Sequence, residues 1–118
     1  MASPSMNPDE IYLANFPFGG SVGRKLRPLL LLTVPVGTVP EVLVAYISSA
    51  LPTNFLPTDV LLDPSMADHS STNLKTISVV RWHKLATIHA RSIVRRLGVL
   101  SPATAREVDA KLRTFLNL

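Results

Sequence analysis

Two residues of this sequence could, by type and spacing, form a device for phosphate chemistry: Arg27 in "GRKLRP" and Ser48 at the end of "EVLVAYIS". Arginine keeps its charge at any physiological pH and offers a planar fork of N–H donors that matches two phosphate oxygens. A serine hydroxyl beside it adds a small neutral donor. Held together, the two would stabilise the doubly charged phosphorane formed when a ribose 2′-hydroxyl attacks the adjacent phosphodiester, because donors fixed where charge develops dominate many catalytic sites. The plainer reading is an arginine that caps a sheet and a serine that ends a strand.

Other chemistries fit the residues less well. A two-metal site needs several carboxylates close together, yet Asp9, Glu10, Glu41, Asp59, Asp63 and Asp68 are scattered without ligand-like spacing, and no metal or other cofactor is expected. The chain has no cysteine, which removes thiolate zinc sites, cysteine nucleophiles and disulfides. Three histidines, His69, His83 and His89, leave open a pair acting as general acid and base, but in one unbroken strand His83 and His89 would stand about 20 Å apart at roughly 3.3 Å per residue. Solvated or packed histidines are the simpler reading. Trp82, between Arg81 and His83, offers a face on which a base could stack, although a strand tryptophan is more often a core anchor. Phe18, between a proline and a glycine and close to the cations, is the better stacking candidate.

The charge distribution supports an anionic partner. Twelve Lys and Arg against eight Asp and Glu leave a modest net charge of +4, but the excess is unevenly spread. No acid occurs between Asp68 and Glu107, a span that holds Lys75, Arg81, Lys84, Arg91, Arg95, Arg96 and Arg106; a second acid-free window, Ile11 to Pro40, holds Arg24, Lys25 and Arg27. Two basic segments converging on one face would bind a polyanion, most plainly nucleic acid. Solvated surface cations are the alternative.

The elements that must position these residues are short strands. Ten prolines in 118 residues argue against an all-helical chain. With 47% hydrophobic residues the chain buries one core, hence one domain over residues 10–118 behind a frayed tail at 1–9. The tail is polar and acidic, unlike a secretory signal. No apolar run approaches the roughly 20 residues that span a bilayer, and a cytoplasmic location is the default. Strands are expected at Ile11–Phe16, Arg27–Val34, Glu41–Ser48, Asp59–Asp63 and Ser78–Ile88, about five in all. The second and third are so continuously apolar that both faces should be buried. Residues 49–58 and 64–77 read as loops, the latter long and polar enough to be functional. Arg91–Leu97, stopped by Gly98, fits either a short helix or an edge strand. A helix begins at Ser101 as N-cap with Pro102 in its first position, and sets Ala105, Val108, Leu112, Phe115 and Leu116 on one face. Glu107 with Lys111 and Asp109 with Arg113 are spaced to pair on its outer side.

"PVGTVP" joins the second and third strands, and a hairpin is the simplest connection. A turn centred between Gly37 and Thr38 sets Arg27 opposite Ser48, with side chains on one face about 5 Å apart at Cβ. A one-residue slip would undo this, and a loop of that length permits a bulge.

These residues resemble a known family. "IYLANFPFGGSVGRKLRPLLLL" is similar to the N-terminal signature of the MazF/PemK toxins, in which a Phe-Pro element ends the first strand and a Gly/Ser-rich loop leads to Lys-x-Arg-Pro. "VLVAYISS" resembles the next strand, "NLKTISVVRWHKLATI" a later one, and "RRLGVLSPATAREVDAKLRTFLNL" the terminal Gly-x-Leu-Ser and helix. Four segments match in order over roughly residues 10–118. The resemblance implies a mainly β fold, a small SH3-like barrel of MazF/CcdB type with a C-terminal helix. It also implies a homodimer that is a metal-independent endoribonuclease on single-stranded RNA and leaves 2′,3′-cyclic phosphate and 5′-hydroxyl ends. A cognate antitoxin with an acidic disordered tail would silence it. By position, Arg27 and Ser48 take the catalytic places, the same two residues that the hairpin brings together. RNA contacts are expected from Phe18, Gly20, Ser21, Arg24 and Lys25 in the loop, from Ser49, and from Lys75 and Arg81.

Two departures bear on efficiency. Val22 stands where many members have a glutamate, so any role of that carboxylate is missing. Ser48 replaces the commoner threonine and keeps the hydroxyl with a less restricted rotamer. The competing functions are a non-catalytic barrel toxin that poisons gyrase by contact, similar to CcdB, and an inactive barrel that sequesters RNA or antitoxin.

Overall fold

The computed structural model describes residues 6–16 and 25–118. Among them lie six strands, β1 (Glu10–Phe16), β2 (Lys25–Leu31), β3 (Glu41–Ser48), β4 (Val60–Leu62), β5 (Ser78–His89) and β6 (Ile93–Val99), followed by one α-helix, α1 (Pro102–Leu116). They form a curled antiparallel sheet in the order β4-β5-β3-β2-β1-β6, so the fold is mainly β with a C-terminal helix. The sixth strand settles the segment after Arg91: a 3₁₀ turn at Ala90–Ser92 leads into β6, which takes the open edge of β1.

The leucine block explains why the sheet is covered on both sides. Leu29, Leu30 and Leu31 are all fully buried, although neighbours on a strand point to opposite faces. Leu30 packs with Ala45, Ile47, Trp82 and Val108 of α1. Leu29 and Leu31 pack with Val42 and Val44 against Ile88 and Ile93. The stretch from β5 into β6 therefore closes one face while the helix closes the other.

The β2–β3 hairpin keeps the expected register by a different route. Leu29 pairs with Tyr46, Leu30 with Ala45 and Leu31 with Val44. The turn itself centres one residue later than expected, between Thr38 and Val39, because Val36 and Glu41 exchange both backbone hydrogen bonds at 2.9 Å. An irregularity after Leu32 absorbs the offset, and there the Thr33 hydroxyl accepts from the Leu43 N–H at 3.1 Å in place of a ladder carbonyl. The net displacement is even, so no side chain changes face. Gly37 takes a positive φ of 94°, a conformation that favours glycine.

Helix α1 starts as its sequence dictates. Ser101 Oγ accepts from the Thr104 N–H at 3.2 Å, Pro102 occupies the first turn, and the Glu107–Lys111 and Asp109–Arg113 pairs form at 2.9 and 3.1 Å. Val108 is buried with Ala105 and Leu112 packed beside it, but Phe115 and Leu116 are exposed, because the last turn lies beyond the packed core.

Residues 64–77 form a loop only in part. Ala67–Thr72 is a 3₁₀ turn fastened to β6. Ser71 Oγ donates to the Val99 carbonyl at 2.7 Å and Asn73 Nδ2 to the Leu97 carbonyl at 2.8 Å. Gly98 permits this approach, since a Cβ there would overlap the carbonyl oxygens of Ser71 and Thr72.

Candidate functional site

The β2–β3 ladder stops at the Leu29–Tyr46 pair, beside Pro28, which has no backbone N–H to donate. The strands part there and leave a slot of about 270 Å³. The same register carried two residues further sets Arg27 opposite Ser48, and both are exposed and flank the slot with Tyr46 and Ala50. Arg27 is held on its other side by pairing with Ala14 of β1. Ser48 Oγ accepts from the Ala50 N–H at 3.1 Å. A hydroxyl that accepts in this way keeps its own proton as a donor.

Two further depressions adjoin the slot. One, of about 380 Å³, lies on the Arg27 side and brings together Arg27, Ser49, Lys75 and Arg95. The other, of about 400 Å³, lies on the Ser48 side and is lined by Tyr46, Ser48, Arg81 and Lys84. The cations come from β2, from the segment after the 3₁₀ turn, and from β5 and β6, so the two basic stretches of the sequence do meet. Burial pushes the Tyr46 phenol above its usual value, so it is neutral at physiological pH and adds no negative charge to a cationic surface.

Arg81 is tied down. Its Nε donates to both oxygens of the buried Asp59 carboxylate, at 3.1 and 3.2 Å, and Asp59 also accepts from the Leu56 N–H at 2.8 Å. Lys111 of α1 reaches the Asp59 carbonyl at 2.8 Å. The carboxylate offsets the charge of Arg81 and uses it to fasten the loop before β4. Replacing Asp59 with alanine is expected to lower stability by about 2 kcal/mol, because the half-buried guanidinium and the Leu56 N–H both lose their acceptor. Thermal melting at neutral pH checks this, and an unchanged midpoint would mean that the pair contributes nothing.

Other expected site residues fall out as follows. Phe18, Gly20, Ser21 and Arg24, with Val22, lie outside the described residues. Lys25 is exposed at the start of β2, on the strand face that carries Arg27. Ser49 and Lys75 line the depression beside Arg27. Trp82 is buried in the core and offers no face to a base. His83 and His89 remain apart, since β5 pairs continuously with β3 from Leu85 to His89 and does not fold back between them. His69 uses Nδ1 to accept from the Asp63 N–H at 2.9 Å. Among the described residues no three His, Asp or Glu side chains group as a metal site.

Arg95 is the residue that sequence reasoning missed. It was one of several cations in an acid-free run, and only its pairing opposite Leu13 brings it beside Lys75. Its neighbour Arg96 instead bonds Glu10 at 2.9 Å.

Comparison with known proteins places this geometry in context. A family model described as PemK-like, MazF-like toxin of type II toxin-antitoxin system matches residues 7–116. A solved endoribonuclease in complex with its cognate antitoxin, from a mycobacterial species, is similar at 22% identity and TM-score 0.68, with 96% of each chain covered. The Mycobacterium tuberculosis toxin MazF-mt6 shows 24% identity and TM-score 0.68 over 92% of this chain and 97% of its own. The MazE-MazF structure from Deinococcus radiodurans shows 19% identity and TM-score 0.66 over 98% and 99%. At these identities the likeness is one of fold. No curated protein matches the sequence.

Proposed function

Because the chain belongs to the PemK-like, MazF-like toxins of type II toxin-antitoxin systems, we propose that it acts as a metal-independent endoribonuclease on single-stranded RNA. The observation that carries the reading is the Arg27–Ser48 slot, open to solvent and flanked by Lys75 and Arg95. A 2′-oxygen gives up its proton and bonds to the adjacent phosphorus, while the 5′-oxygen of the next nucleotide leaves and takes up a proton. The products are a 2′,3′-cyclic phosphate and a 5′-hydroxyl. Arg27 neutralises the charge that grows on the non-bridging oxygens, and the Ser48 hydroxyl donates to one of them. A cognate antitoxin with an acidic tail would compete for the same cations, and a homodimer would cover part of the exposed apolar surface at Phe115 and Leu116. The cytoplasm, where mRNA is met, is the proposed compartment.

Purified protein incubated with a long RNA in EDTA, with new 5′ ends mapped, tests the proposal. Cuts at defined sequences support it. Intact RNA with a folded protein would turn the reading to a toxin that works by contact. Within the same assay, Ser48→Thr is expected to retain most of the rate and Ser48→Ala to lose on the order of 10- to 100-fold, since only the hydroxyl is used. Equal rates for all three would remove Ser48 from the mechanism.

A further inference from the structure

The depression on the Ser48 side owes its shape to β5. Ala45 pairs with Leu85 and Ile47 with Val80, so Arg81, Trp82, His83 and Lys84 stand against Tyr46 alone. A bulge of this kind bends the strand and re-aims its side chains, and bulges are common beside active sites. Here Trp82 turns into the core while Arg81 and Lys84 turn to the Tyr46 side. Asp59 occupies Arg81. Lys84 is exposed and has no acidic partner among the described residues.

From this we infer that Tyr46 and Lys84 build a nucleotide subsite of the groove on the side of Ser48 away from Arg27. The inference rests on the RNA reading above and extends it. Lys75 and Arg95 serve the strand on one side of the scissile phosphate, and Tyr46 and Lys84 receive it on the other. Tyr46 lines both the slot and the depression, so a base leaving the slot passes along its side chain. A ring face accepts any base. The Lys84 ammonium is a point charge suited to the following phosphate.

The probe is the RNA segment spanning a mapped cut, made uncleavable by 2′-fluoro at the cut nucleotide and followed by fluorescence anisotropy over a range of salt. Lys84→Gln is expected to lower the slope of log affinity against log salt by about 0.7, the value of one phosphate contact on a single strand. Tyr46→Leu is expected to weaken binding about tenfold, and Tyr46→Phe to keep it, because the ring face is what counts. An abasic position beside the cut that weakens binding to the parent but not to Tyr46→Leu identifies the stacked base. Arg113→Gln, on the exposed side of α1, leaves the slope unchanged. Parent protein that cuts and binds RNA while Lys84→Gln and Tyr46→Leu match it overturns the subsite alone. Parent protein that neither cuts nor binds overturns the subsite and the nuclease reading together. Should circular dichroism find Tyr46→Leu unfolded, the salt slope of Lys84→Gln, a change at an exposed side chain, decides the matter.

Discussion

Arg27→Ala is expected to slow RNA cleavage by about 10²- to 10³-fold while leaving the thermal midpoint within experimental error. The first half follows from the position of the guanidinium, which flanks the slot opposite Ser48 and is the cation nearest in register to that alcohol. Removing one fixed donor from a charge-developing centre costs about 10²- to 10³-fold in other enzymes. The second half follows from exposure: Arg27 lies on the surface of β2, where a substitution usually changes stability by less than about 0.5 kcal/mol. Arg27→Lys should recover only part of the loss, since an ammonium lacks the planar fork that spans two oxygens. Single-turnover rates on an RNA with one mapped cut are the appropriate measurement. A variant that cuts within about threefold of the parent would put the developing charge in other hands.

Gly98→Ala is expected to cost about 3 kcal/mol or more, well above the usual effect of adding one methyl group. The added Cβ would overlap two backbone carbonyls of the 3₁₀ turn, and backbone does not yield as a side chain would. To make room, the turn must lift from β6. That strains the bonds from Ser71 to the Val99 carbonyl and from Asn73 to the Leu97 carbonyl. Lys75, only two residues beyond Asn73, would move with them. The variant should therefore melt at least about 10 °C lower and also bind RNA more weakly when folded. Calorimetry and anisotropy read the two effects separately. A midpoint within a degree or two of the parent would show that turn and strand can part without loss.

Much of this site was legible in the sequence, and for local reasons. Alternation along a strand has period two, so the hairpin fixed which residues share a face even though its turn lies one residue from the expected place. The irregularity after Leu32 shifted the count by two, and an even shift preserves the face. The start of α1 was equally clear, because an N-cap and a first-turn proline act over four residues. Even the burial of Leu29, Leu30 and Leu31 could be read from the run itself.

What the sequence by itself determined, then, were features set by neighbours in the chain: the strand faces, the helix start, and the placing of Arg27 and Ser48 beside the same slot. Only the tertiary structure decided which of the many cations join them. Arg95 reaches the depression beside Arg27 because β6 closes against β1, Arg81 is engaged by the Asp59 carboxylate, and Lys84 is turned outward by a bulge opposite Tyr46. Each of these depends on residues far apart in the chain, and in each the charge of a side chain says nothing about the partner that the folded sheet will set before it.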